Sequence, residues 1–329
     1  MFARPRLSSL MPDLKPILFE RKYLVKNWGG RALERVLGLP LAPGNIGETW
    51  ELFDRRDDSS RIRGSSDTLR DVMRQERRAL LGRNVAPGFE GRFPLLLKFI
   101  DARGSLSVQV HPDDAQAVGE RDSGKNEAWV VLDTGADARI VRGFKASATR
   151  EQFAAAAGTA AVESLLWSFA PKVGDCIHVP AGTVHAIGPD VVLFEVQQNS
   201  DVTYRVWDGG SDRPLHIPQA LAVVRVTPGE PPTVPASALP DGGLLQIHEP
   251  HFRVRRYDLQ QRTTLPTGGV FAAITVIAGQ GMLGWHSRGE DAPLHLRLGD
   301  TALVPACIEQ VFLSPIGNLH VLVTDPGVV

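Results

Sequence analysis

Short apolar runs, each closed within a few residues by glycine, proline or a charge, recur along almost the whole chain: FPLLLKFID, SLSVQVH, EAWVVLD, DCIHVP, VVLFEVQQ and TYRVWD. Runs of this length between turn residues read as β-strands, because a helix needs a longer stretch of 3.6-residue period to hide one face. SLSVQVH alternates cleanly, so every second side chain meets the same side of a sheet. Helical patches are fewer. Residues 67–81 (DTLRDVMRQERRALL) look amphipathic and open after Ser66 or Asp67 as a cap; residues 150–157 and 218–226 are shorter candidates. Strands with helical decoration predict a mostly β jelly-roll barrel rather than a βαβ fold.

The strongest break is TPGEPPTVPASALPDGG, residues 227–243, where Pro228, Pro231, Pro232, Pro235 and Pro240 exclude a regular helix or central strand. It divides the chain into a first unit, 1–226, and a smaller second one, 244–329, in which FRVRRYDL, VFAAITVIAG, DTALVPA and LHVLVTD read as strands. The first ten or so residues, before Met11, read as a loose tail. A short repeat links the halves: GDCIHVPAGTVH (174–185) and GDTALVPACIEQ (299–310) share Gly-Asp, a strand and Pro-Ala. Cys307 replaces Gly182 and Gln310 replaces His185, so a potential ligand is present in one copy and absent from the other.

Charge narrows the function. Lys and Arg number 36 against 37 Asp and Glu, a formal charge of -1, which argues against nucleic acid or an anionic membrane as the main partner. No run approaches the ~18 apolar residues of a membrane span, and MFARPRLSSLMPDLKP lacks a signal-peptide core. Two cysteines, Cys176 and Cys307, are too few for a disulfide framework. A cytoplasmic protein is expected.

Gln109, His111, Glu127 and His185 stand out together. The first two lie two apart on one strand and project to the same barrel interior, Glu127 opens the next run, and His185 follows a Pro-Ala-Gly turn. Two imidazoles, a carboxylate and an amide oxygen suit zinc, or manganese, iron or cobalt, with one ion per chain. Gly174, Pro180, Gly182 and His185 fit G-x5-P-x-G-x2-H, which resembles the second signature of the cupin superfamily up to its histidine. Pro189 stands where that signature usually has asparagine, and Gln109 replaces the first histidine of the usual H-x-H.

SLSVQVHPDD (105–114), GKNEAW (124–129), VPAGTVHAIG (179–188) and EVQQNSDVTYRVWD (195–208) resemble the type I mannose-6-phosphate isomerases in their short bacterial form. FPLLLKFID and LVKNWGGRAL are similar too, and the resemblance runs from about Leu18 to Gln219. It implies a cupin catalytic unit followed by a degenerate cupin-like unit without metal. It implies Gln109, His111, Glu127 and His185 as zinc ligands and Arg205 as the catalytic arginine. Glu195 matches a site carboxylate, and Lys98, Ser107 and Lys125 match substrate or phosphate contacts, Lys125 with a possible share in proton transfer. The implied reaction interconverts mannose 6-phosphate and fructose 6-phosphate through a cis-enediol or enediolate, in a monomer or weak homodimer whose partner is the sugar phosphate. LFDRRDDSSRIRG (52–64) departs from the common pattern by its density of charge and is a candidate determinant of sugar selectivity.

Three rivals share the metal ligands: a non-catalytic sugar-binding or other metal-binding cupin, a dioxygenase, and an isomerase of another sugar phosphate. The first does not need Arg205, Lys98 and Lys125; the second favours H-x-H over Gln109.

Overall fold

The computed structural model describes residues 14–38, 40–229, 233–286 and 293–327. The loose tail expected before Met11 lies outside the described residues, as do Pro231 and Pro232 of the proline-rich segment.

Two sheets form the first β unit. One has six strands in the order Cys176–Val179, Glu127–Thr134, Val191–Gln198, Leu95–Ala102, Lys22–Gly30 and Ile46–Leu52. The other has five: Leu166–Phe169, Ile140–Phe144, His185–Ile187, Val108–Val110 and Tyr204–Trp207. Ile100, Trp129, Val131, Ile177 and Leu193 of the first sheet pack against Ile140 and Ile187 of the second. The six-stranded sheet is covered on both faces, and all eight residues of Leu95–Ala102 are buried. Leu95, Leu97 and Phe99 turn to the opposite side, where Val254, Phe271, Ala273, Leu303 and Leu322 of the second unit meet them. Strand alternation therefore sends the intervening residues, Lys98 among them, towards the five-stranded sheet.

The second unit is a nine-stranded sheet built around Ala272–Trp285 and Gln310–Asp325, with a separate core of Ile274, Val276, Leu283, Val304, Val321 and their neighbours. One of its edge strands is Ile17–Leu18, which pairs with Thr301–Val304: residues from before the first unit's strands join the sheet of the second half.

The repeat seen in the sequence has a matching backbone. Gly174 N donates to Val131 O and Val131 N to Asp175 O; Gly299 N donates to Val276 O and Val276 N to Asp300 O. Thr183 N bonds Pro180 O as Ile308 N bonds Pro305 O. In this correspondence Val179 pairs with Glu127 and Val304 with Ala272, so the second copy has alanine in place of the carboxylate as well as Gln310 in place of His185. Its interior is closed by apolar packing instead.

Helices fall near the expected positions with shifted ends. Leu69–Leu81 starts behind Thr68, whose side chain accepts from Asp71 N while Asp71 bonds the Thr68 N–H in return; the cap is Thr68 rather than Ser66 or Asp67. Arg150–Ala156 is capped by Thr149 in the same way. The third helix is Ile217–Val223, three residues shorter at its end than the sequence pattern suggests, because Val224 turns extended.

Candidate metal centre and active-site cavity

Four neighbouring strands of the six-stranded sheet each turn a charged side chain to the same face. Glu127 pairs across to Gln197, Glu195 lies opposite Lys98 on one side and Trp129 on the other, and Trp50 lies opposite Lys98 with Glu48 two residues before it. These charges are buried, with Lys98 7% exposed, Glu195 2% and Glu127 1%. Buried charges survive only when paired or ligated. Lys98 Nζ stands 3.1 Å from Glu195 Oε1 and 3.7 Å from Glu48 Oε2, and Lys26 Nζ is 3.0 Å from Glu48 Oε1. Trp50 Nε1 donates to Glu48 Oε2 at 2.8 Å.

The facing sheet supplies the imidazoles. Gln109 lies in Val108–Val110, flanked in register by His185 on one side and Arg205 on the other, and His111 follows just past the strand end. His111 Nε2 is 3.3 Å from Glu127 Oε1 and His185 Nε2 is 3.6 Å from Glu127 Oε2. All the donor atoms of this trio lie within 4.8 Å of one another. His111 Nδ1 bonds Val202 O at 2.7 Å and His185 Nδ1 bonds Thr183 O at 2.9 Å. Each ring nitrogen that faces a backbone carbonyl carries the proton, so each Nε2 offers a lone pair to the centre. Trp129 meets the His185 ring edge-on, with centroids 5.4 Å apart.

The residues suit a divalent cation. Glu127 Oε2 is buried without a hydrogen-bond partner among the described residues, and oxygen and imidazole donors separated by these distances match ligands set about 2.0–2.2 Å from a zinc ion. Gln109 Nε2 lies 3.2 Å from His185 Nε2 while its Oε1 faces Ser107 Oγ at 3.3 Å. Turning the amide over exchanges the two atoms and brings Oε1 to the centre, leaving Ser107 Oγ as acceptor for the amide nitrogen.

Burial and charge tune the group. Burial pushes His111 down to about 3, helped by Lys125, so the ring is neutral and ready to ligate. Burial alone would raise Glu127, but Lys125 and the two imidazoles outweigh it and hold the carboxyl well below its usual range. Lys125 Nζ is 2.8 Å from Glu127 Oε1 and 3.4 Å from His111 Nε2. Burial, then the charge of Glu127, pushes Glu195 up to about 7 against the pull of Lys98. Burial opposes charge on Lys98 too, yet Glu195 and Glu48 more than reverse this and raise it.

These groups open into one cavity of about 260 Å³, bordered by Lys98, Ser107, Gln109, Lys125, Glu127, Glu195 and Arg205. Trp28 and Trp50 form part of its wall. Arg205 Nε is buried with no hydrogen-bond partner among the described residues, an unspent donor at the cavity's edge. Its backbone is fixed by His216, whose Nδ1 accepts from Arg205 N at 3.2 Å and whose N donates to Arg205 O at 2.8 Å.

The chain is 31% identical over 307 residues to the mannose-6-phosphate isomerase of Streptococcus mutans, a match that covers 90% of this chain and 94% of that one. It belongs to the mannose-6-phosphate isomerase family. The phosphomannose isomerase type I catalytic-domain model matches residues 18–128. ManA, the mannose-6-phosphate isomerase of Bacillus subtilis, is 34% identical over 284 residues, covering 82% of this chain and 87% of the relative. The crystal structure of the B. subtilis mannose 6-phosphate isomerase superposes with a TM-score of 0.83 at 28% identity, over 94% of this chain and 99% of that one. The cupin architecture expected of this isomerase family is the one observed.

Sequence reasoning brought nine residues forward, and all nine border the cavity or belong to the cluster inside it. It missed Glu48, Lys26 and His216. Lys26 lies within LVKNWGGRAL, which was matched without a role for this lysine, and Glu48 lies between matched motifs; only the alternation in Ile46–Leu52, read against its partner strand, points Glu48 inward. His216 had no ligand spacing because it holds backbone, not metal. None of the residues of the charged segment 52–64 borders this cavity. Asp54 and Arg56 of this segment border a separate groove.

Proposed function

We propose that this enzyme interconverts mannose 6-phosphate and fructose 6-phosphate, with one zinc ion held by Gln109, His111, Glu127 and His185. The observation that carries the reading is the placing of a buried carboxylate, Glu195, and an unspent guanidinium, Arg205, in the same cavity as the three-donor cluster. The ion would supply Lewis-acid polarisation of the sugar's carbonyl and hydroxyl oxygens.

Glu195 is the proton-transferring base. Its carboxylate takes the proton from carbon 2 of the aldose, and the carboxylic acid returns it to carbon 1 of the ketose. A carboxyl near 7 exchanges protons in both directions at neutral pH. Lys98, with its ammonium between Glu195 and Glu48, sets the charge balance of that base and contacts the substrate. Lys125 moves the proton between the two substrate oxygens, and Ser107 contacts the substrate's polar groups. Arg205 meets the negative charge that develops on the enediolate oxygens, which is where a fixed, always charged fork lowers the barrier more than it aids binding. The named residues all fall within 1–226, and we assign catalysis to that unit and support of the six-stranded sheet to 244–329. The working form is a cytoplasmic monomer or weak homodimer with a small-molecule sugar phosphate as partner.

The test supplies mannose 6-phosphate to the purified protein and follows fructose 6-phosphate. Turnover is expected to vanish with a chelator and return with zinc. Turnover indifferent to chelation overturns the metal assignment, and turnover of a different aldose phosphate alone overturns the substrate.

A further inference from the structure

A groove larger than the catalytic cavity lies elsewhere on the molecule. It has a volume of about 700 Å³ and lies between the helix Leu69–Leu81, the Asp54–Ser59 hairpin and the turn at Glu90–Arg92. Its walls carry six arginines: Arg56, Arg70, Arg74, Arg77, Arg78 and Arg92. The two acids beside them are already committed. Asp54 accepts from Arg70 Nε at 2.9 Å and from Phe93 N at 3.1 Å, and Glu90 accepts from Arg92 at 2.6 Å and Arg121 at 3.1 Å.

Arg56, Arg74, Arg77 and Arg78 form no salt bridge among the described residues. Arg70 and Arg74 lie one turn apart at the start of Leu69–Leu81, and Arg77 and Arg78 follow a kink at Glu76, whose φ of -131 and ψ of 29 are not helical. Like charges gathered on one groove repel, so the cluster is a cost to the fold unless something neutralises it. The rigid floor favours a ligand: Arg70 is anchored on Asp54 and on the Arg55 and Arg56 carbonyls, and buried Arg92 is held by Glu90.

We propose that this groove binds a small anion carrying several phosphoryl groups, such as a di- or triphosphate. Guanidinium forks match phosphoryl oxygens in pairs. The uncommitted forks of Arg74, Arg77 and Arg78 come from both sides of the kink at Glu76 and line the same groove as Arg56, which suits a chain of phosphoryl groups better than one. The groove's volume lies within the roughly 300–1,000 Å³ of small-molecule sites. A long polyanion is disfavoured because the adjoining concavity beyond Arg70 brings in Glu20, Asp57 and Asp58, which interrupt the basic surface.

The test is calorimetric titration of the full-length protein with inorganic tripolyphosphate, and separately with ATP, while fructose 6-phosphate saturates the catalytic cavity. Saturable binding is expected, and the pair R74Q/R78Q should weaken it about tenfold or more. The same variant should keep kcat and KM for mannose 6-phosphate within about twofold, since neither residue borders the cavity. R56Q alters the opposite wall without touching the helix and should weaken binding too. Binding of tripolyphosphate but not ATP identifies an inorganic chain as the ligand, and the reverse identifies a nucleotide. No saturable binding by the unaltered protein, equal affinity in the variants, displacement by the sugar phosphate, or preference for an RNA oligonucleotide over both probes would each overturn the proposal.

Discussion

Ligand and charge partner differ most sharply at single residues. His185 presents its Nε2 to the cluster, and Arg205 presents only an unspent donor at the cavity's edge. His185→Ala should lose both bound metal and activity. Arg205→Ala should retain the metal, measured by elemental analysis, and lose on the order of 10²–10³ in kcat. Equal metal loss in both variants would contradict the division of roles. A second residue reports on pH. Burial pushes Glu249 up from an ordinary carboxyl value to about 7, against hydrogen bonds from His251 and Phe252 and with Asp114 reinforcing the rise. The folded protein therefore holds a proton that the unfolded chain releases at lower pH. Stability from this group is present below the unfolded value and is lost as pH climbs to about 7. Glu249→Gln should raise stability by on the order of 1–3 kcal/mol at about pH 8 and change little at about pH 4, measured by chemical denaturation. Neither Glu249 nor Glu48 was legible from sequence, since a lone Glu normally reads as solvated. The metal residues were legible because the chemistry fixes residue types at fixed offsets around a turn.

At the scale of elements, the turn before His185 is the most constrained. Gly182 has φ +83, and a Cβ there would come within 2.9 Å of the Arg225 side chain and 3.0 Å of Val223 O. Its N–H also donates to His111 O at 2.8 Å, so this one turn ties both histidine-bearing segments together. Gly182→Ala should cost about 1–3 kcal/mol by thermal unfolding and weaken metal affinity as well. Strands were the most readable elements, because Gly and Pro mark their ends. Helix ends were less so: Ser66, Asp67 and Thr68 all have capping side chains, and only the reciprocal bond with Asp71 singles out Thr68. The repeat was visible as a dozen residues, but its depth was not. The loss of the second carboxylate at Ala272 emerges only when strand register aligns it with Glu127.

For the whole molecule, the proline-rich break marks a change of β unit, yet the packing does not stop there. Leu95, Leu97, Phe99, Phe194 and Val196 share one core with Ile247, Phe252, Phe271 and Leu322. No pattern in the sequence announces this, because Leu95–Ala102 reads simply as apolar whether one face or both are covered. A fragment ending at residue 243 should therefore expose that core and lose its cooperative thermal transition, followed by circular dichroism. Retention of a sharp transition by the fragment would show that the first unit stands alone.

The pairing of Ile17 with Leu303 also dictates a sequence of events in time. A ribosome delivers Ile17 and Leu18 long before the strand that must receive them has been made. Until then Ile17 and Leu18 present an unsatisfied edge. Closing so distant a contact makes this step of assembly slow, and it cannot precede the synthesis of Thr301–Val304.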